Sequence, residues 1–165
     1  MNSVLTLKQL DSLWMPFTAN REYKSNPRII TSASGCYFKD QNNRKIYDSL
    51  SGLWTCGLGH NNQYINEAIT KQLGTLDFAP SFQLGHPSAF ELSERIVDLM
   101  PPGLDKVFFT NDGSESVETA LKMARAYWRK KGMASKTKYI GRVKGYHGVN
   151  FGGVSVGGIV SNKAH

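Results

Sequence analysis

Asn111-Asp112-Gly113-Ser114 stands between an apolar run, KVFFT over residues 106–110, and a long stretch with helical spacing, SESVETALKMARAYWRKKG. A junction of this kind suits an anion. The first N–H groups of a helix have no partner inside it, and the aligned peptides leave roughly half a positive charge there. Gly113 has no side chain to hold a ligand off the backbone, and Ser114 adds a hydroxyl donor. A phosphate cradle is one reading. The other is a plain helix start, with Ser114 bonding its own helix and Gly113 only making the turn. The segment alone leaves both open. Gly113 is not followed by GK[ST], and no GxGxxG follows a strand, so the Walker A loop and the dinucleotide fingerprint are both missing. A ligand bound here would carry a phosphate without being a typical nucleotide.

A second group of chemically capable residues is Tyr146-His147-Gly148. It follows an expected strand over residues 138–142. Strand, helix and strand in this order predict a right-handed βαβ unit in a parallel sheet. Ligands of such sheets sit at the carboxyl ends of the strands. That geometry would carry Gly113 and Ser114 to the same edge as Tyr146 and His147. Tyr146 could stack on a flat ring there. It could equally close the edge of a core, with His147 holding the loop through a backbone hydrogen bond.

Other elements must position these groups. Residues 6–13 read as a short helix, and Pro16 turns the chain after it. Residues 28–48 alternate short apolar runs with turn residues. One strand begins at Ile29 and Ile30, a second covers 36–38 and a third 46–48, which predicts a small antiparallel meander. Asn61 or Asn62 can cap a helix striped by Ile65, Ala68, Ile69 and Leu73, ended by Gly74. Residues 89–100 form a second amphipathic helix, stopped by Pro101, Pro102 and Gly103. The long helix opens at Ser114 and ends at Gly132, with Glu115 and Glu118 early and Lys122, Arg125, Arg129, Lys130 and Lys131 late, as the helix dipole favours. The fold class is therefore α/β.

Composition narrows the function. Hydrophobic residues make up 40% and charged residues 20%, the balance of a globular chain rather than a disordered one. No apolar run approaches the roughly 20 residues of a membrane span. The opening MNSVLTLKQLDSLW lacks a basic region followed by an apolar one, so no membrane partner and a cytoplasmic location are expected. Cys36 and Cys56 have no metal-type spacing, and His60, His86, His147 and His165 form no HExxH-like pair, so no metal is expected. The net charge of +7 raises the question of nucleic acid. Lys and Arg are spread along the chain, however, and the densest cluster, residues 129–131, closes a helix. No nucleic-acid partner is expected.

Four segments in order, GLWTCGLGH, TLDFAPSFQLGHP, FFTNDGSESVETALKMARAYWRKKG and YIGRVKGYHGVNFGGVSVGGI, resemble class III (omega) aminotransferases, which have the fold-type I pyridoxal-phosphate architecture. The resemblance runs over nearly the whole chain and is weakest before Trp14. It implies that Gly113 and Ser114 bind the phosphate of pyridoxal 5'-phosphate and that Tyr146 stacks on its ring with His147 beside it. Trp54 and Phe17 would line an amine-substrate pocket. Phe82 would reach the neighbouring subunit's site, because family active sites lie at a homodimer interface. Small-molecule amines and oxo acids would be the substrates, with β-alanine and pyruvate foremost. Members often carry Asn-Ser-Gly-Ser where this chain has Asn111-Asp112-Gly113-Ser114. A carboxylate aimed inward would repel phosphate, so Asp112 is expected to point away and cap the turn.

Full members are well over twice as long as these 165 residues. The resemblance therefore implies an N-terminal part of the fold: residues 1–60 from the small domain and residues 61–165 from the start of the large parallel-sheet domain. The Schiff-base lysine, the aspartate facing the ring nitrogen and the carboxylate-binding arginine would lie beyond residue 165, leaving no catalytic residue here. Lys144 has no family counterpart as catalyst. The fragment alone is expected to be inactive. The alternatives are a truncated, non-catalytic paralogue that binds a phosphorylated ligand or assembles with a longer subunit, and a basic nucleic-acid-binding protein supported only by charge.

Overall fold

A computed structural model describes residues 5–164. Residues 1–4, where the reading of the leader begins, and His165, from the histidine survey, lie outside the described residues. The chain divides into two compact units, residues 1–84 and 85–165.

In the first unit, α1 (Leu7–Ser12) starts with a capping box. Thr6 Oγ1 accepts from the Gln9 N–H at 3.2 Å, and Gln9 Oε1 accepts from the Thr6 N–H at 2.8 Å. A further short helix not anticipated from the sequence, α2 (Asn20–Ser25), follows the Pro16 turn. The Asn20 side chain secures that turn by accepting from Met15 N at 2.9 Å and donating to Met15 O at 2.8 Å.

The antiparallel meander is present as β1 (Ile30–Ser34), β2 (Tyr37–Asp40) and β3 (Lys45–Tyr47), in that order. Gly35, at φ 55°, makes the β1–β2 turn. Asp40 organises the β2–β3 turn with 1% of its surface exposed. Its Oδ1 accepts from Asn42 N and Arg44 N, both at 2.9 Å, and its Oδ2 accepts from Arg44 Nε at 2.6 Å. Burial works against its charge, but these hydrogen bonds prevail and hold its carboxyl below the ordinary range.

One helical turn, α3 (Ser51–Trp54), is wound left-handed: φ is 49°, 58°, 64° and 68° at Ser51, Gly52, Leu53 and Trp54. Three of these residues carry a Cβ, and each such residue costs about 1–2 kcal/mol in this region. Next comes α4 (Gln63–Leu73), with the Asn62 side chain accepting from Ile65 N at 3.3 Å. Gly74 follows it at φ −72°. It therefore ends the helix without the left-handed conformation that glycine usually supplies there.

In the second unit, α5 (Pro87–Asp98) begins two residues before the expected start, with Pro87 in the first turn, where its missing N–H costs nothing. The long helix is α6 (Gly113–Lys130). It closes in a Schellman motif: Gly132 is at φ 77°, its N–H donates to Arg129 O at 3.0 Å, and Met133 N–H donates to Trp128 O at 2.9 Å. The glycine-rich segment forms α7 (Phe151–Val156), and a 3-10 turn covers Val160–Lys163.

Two expected strands are corrected. Residues 106–110 and 138–142 are not hydrogen-bonded as strands, to each other or to any described segment, so the parallel βαβ unit is not formed among the described residues. A strand exists only through its neighbour, and here the neighbour is lacking on both sides. Phe108, Phe109 and Ile140 stay exposed as a result. The end of the second segment bonds instead to the glycines after α7: Lys144 N–H donates to Gly158 O at 3.1 Å and Gly158 N–H to Gly145 O at 2.8 Å. Among the described residues no apolar side chain is fully buried. On α4 and α5, Ile69, Leu73, Phe90 and Leu92 stay exposed.

Candidate functional site

The start of α6 is ordered by its own carboxylates. Asp112 is the N-cap, and its Oδ1 accepts from Glu115 N at 2.8 Å. Glu115 Oε2 turns back to accept from Asn111 N and Asn111 Nδ2, both at 2.9 Å. Both acidic groups are thereby tied to donors of the turn. The Gly113 and Ser114 N–H groups have no acceptor among the described residues. A Cβ on Gly113 would meet nothing within 4 Å, so space lies open beside this residue.

Ser114 does not bond its own helix. Its Oγ accepts from Val149 N at 3.1 Å, in the loop that carries Tyr146 and His147. Having accepted there, the hydroxyl keeps its hydrogen for an outside acceptor. The loop lies close because residue 148 is glycine. At φ 95°, a Cβ on Gly148 would stand 2.7 Å from both the Cα and the Oγ of Ser114. Helix α7 pins the arrangement: Glu118 Oε2, on α6, accepts from Gly152 N at 3.0 Å. Tyr146 is exposed and His147 half-buried. The structure thus brings Ser114 and the Tyr146–Val149 loop together through a glycine-mediated helix contact, not a shared sheet edge. Val149 and Gly152 make contacts with α6 that the sequence did not reveal, and Gly148, already part of the Tyr146-His147-Gly148 group, allows the close approach. The clustering of glycines after His147 was the only signal for these contacts.

In the first unit the expected pocket aromatics are all exposed: Phe17 at 92%, Trp54 at 82% and Phe82 at 89%. Phe17 and Trp54 have φ of 49° and 68°, and Gln83, next to Phe82, has 64°. Phe17 and Trp54 thus sit on backbone that side chains disfavour, while Phe82 precedes such a residue.

The turn that carries Trp54 is bonded to a polar pair. Asp48 Oδ2 is 2.7 Å from His60 Nε2, and the two side chains are 6% and 12% exposed. Asp48 also accepts from Gly52 N at 2.7 Å and Leu50 N at 3.1 Å. The His60 hydrogen bond, with these backbone donors, outweighs burial and lowers the Asp48 carboxyl below its ordinary range. Its folded pKa lies below the unfolded value of about 3.9. The stabilisation it lends is therefore complete above that value and is lost as pH falls through the folded pKa. Hydrogen exchange at the Leu50 and Gly52 amides, corrected for intrinsic rates, should accelerate as pH falls below the ordinary carboxylate value of about 3.9. Asp48→Asn should remove that step, and a flat profile in the unsubstituted protein would exclude a role for this carboxylate.

A family model described as aminotransferase class-III matches residues 18–165. This chain belongs to the class-III aminotransferase family. It is 56% identical over 161 residues to the omega-amino acid–pyruvate aminotransferase of Pseudomonas putida, covering 98% of this chain and 36% of that protein. It is 58% identical over 150 residues to the beta-alanine–pyruvate aminotransferase of Pseudomonas aeruginosa, covering 91% and 34%. The chain thus spans about a third of the length of the curated relatives it matches. Its backbone follows the omega transaminase of Pseudomonas jessenii in complex with PMP at a TM-score of 0.92 and 34% identity, over 98% of this chain and 36% of that one. The architecture is an incomplete fold-type I α/β fold. A related thermostable omega transaminase (TM-score 0.92, 32% identity, 97% and 36% covered) was engineered for bulky amines by changes that include a tryptophan and a phenylalanine. Those two stand at the same separation as Trp54 and Phe82. Among the described residues of this family member, no helix is long and apolar enough to cross a membrane.

Proposed function

We propose that the complete protein is a pyridoxal-phosphate-dependent aminotransferase that moves an amino group from an amine or ω-amino acid, β-alanine foremost, to pyruvate or another oxo acid. The observation that carries this reading is the α6 start, where two N–H groups without an acceptor among the described residues and an uncommitted hydroxyl hydrogen come together beside an open glycine. That donor set fits a phosphate monoester, and both nearby carboxylates are engaged elsewhere. Gly113 and Ser114 would hold the phosphate. Tyr146 would offer its ring to stack on the cofactor, with His147 beside it. When bound, the cofactor supplies the electron sink that amino-group transfer needs. Trp54 and Phe17 shape the amine pocket, and Phe82 lines the site of the neighbouring subunit in a homodimer. The separation shared by Trp54 and Phe82 with the residues changed in the engineered relative supports their place in it.

The same proposal includes a cytoplasmic location and a division of the complete protein into a small domain using residues 1–60 and a large domain opening at residue 61. The lysine that forms the cofactor linkage belongs to chain after residue 165.

Full-length protein given β-alanine, pyruvate and pyridoxal phosphate should form alanine. Ser114→Ala should weaken cofactor binding about tenfold, the loss of one charge-assisted hydrogen bond of about 1.5 kcal/mol. The 165-residue chain should be inactive. A native protein whose intact mass matches only these 165 residues would overturn the catalytic reading in favour of a phospho-ligand-binding or assembly subunit.

A further inference from the structure

We propose that Asp48 and His60 are positioning residues for Trp54, and that through it they set how large an amine the site accepts. The inference rests on the reading of Trp54 as a pocket wall. It begins with a conflict in the backbone. Ser51, Leu53 and Trp54 all occupy the left-handed region, which side chains disfavour. Specific contacts must hold such a turn.

The holding contacts converge on one carboxylate. Asp48 accepts from the N–H groups of Leu50 and Gly52, which begin the turn, and from His60 Nε2. An ionised carboxylate only accepts, so Nε2 carries hydrogen in this contact. His60 is itself fixed to the meander. Its N–H donates to Gly35 O at 2.8 Å, its carbonyl accepts from Gly35 N at 3.0 Å, and its ring lies 4.4 Å from that of Phe38. Trp54 N–H in turn donates to Leu50 O at 2.8 Å. A continuous path therefore runs from the rigid sheet through His60 and Asp48 to the backbone that aims the indole. The pair is nearly buried and bonds the backbone of the turn that ends in Trp54. That arrangement suits a support for the turn rather than a contact with substrate. Glycine at position 52 belongs to the same device, since a Cβ there would lie 3.2 Å from Cys56 Sγ and 3.5 Å from His60 Cε1.

The test uses the full-length protein with pyridoxal phosphate and compares kcat/KM for β-alanine with that for 1-phenylethylamine. His60→Leu and Asp48→Asn should each change the ratio of the two values by about tenfold or more, the scale on which pocket shape discriminates. His60→Gln, which keeps a donor at similar reach, should restore the ratio to within about threefold. Trp54→Ala should change the ratio by itself, and adding His60→Leu to it should then change nothing further. The absorbance of bound cofactor should be the same throughout. If His60→Leu fails to fold, the near-isosteric Asp48→Asn carries the same expectation. A ratio unmoved by either substitution, or moved equally with and without Trp54, overturns the inference and leaves the pocket reading intact. A ratio unmoved by Trp54→Ala removes the pocket reading and the inference together.

Discussion

Gly148→Ala is expected to lower the affinity of the full-length protein for pyridoxal phosphate by about ten- to a hundredfold. Two costs coincide at this residue. Its φ of 95° is a conformation that side chains rarely adopt, worth about 1–3 kcal/mol. The added carbon would also stand 2.7 Å from Ser114 Oγ, the atom that accepts from Val149 N. Relief requires the loop to withdraw from the start of α6. The hydroxyl then loses the partner that orients its hydrogen outward, and Tyr146 moves with the loop. Absorbance titration of cofactor-free protein would measure the change. An affinity within about twofold of the parent would show that Ser114 needs no support from the loop.

Gly141→Ala and Gly158→Ala should each destabilise the second unit by about 3 kcal/mol or more. A Cβ at Gly141 would overlap the carbonyl of Val156, and one at Gly158 would overlap the carbonyl of Arg142. Both obstacles are backbone, which cannot turn aside as a side chain can. The hydrogen bonds between the two segments, Lys144 to Gly158 and Gly158 to Gly145, would break as the chains part. The two substitutions act on one contact, so their effects should be less than additive. Gly57→Ala provides the control: nothing lies within 4 Å of its Cβ position, and stability should change by about 0.5 kcal/mol or less. Urea melts of the full-length protein read the three single variants and the Gly141→Ala/Gly158→Ala double variant. Equal midpoints for Gly57→Ala and Gly158→Ala would mean that this contact contributes nothing.

Local rules were legible at particular residues. Asn62 capped its helix, Gly132 ended the longest one in a left-handed cap, and Asp112 turned its carboxylate to the Glu115 N–H. Each depends on groups within a few positions, so residue type and spacing suffice. The meander was legible for the same reason, its strands being joined by short turns. The strands expected over 106–110 and 138–142 failed because a strand is defined by a partner that spacing cannot supply. The α6–α7 contact escaped notice because it depends on which glycines face another backbone.

The chain by itself determined α1, α4, α5 and α6, its meander and the family it belongs to, because caps, periodicity and local turns carry that information. Only the tertiary structure decided that Ser114 serves the Tyr146 loop rather than its own helix, that Gly148 makes that approach possible, and that a buried Asp48–His60 pair bonds the left-handed turn that carries Trp54. Those outcomes depend on contacts between residues far apart in the chain, where ångström-scale fit between backbones decides which hydrogen bonds form.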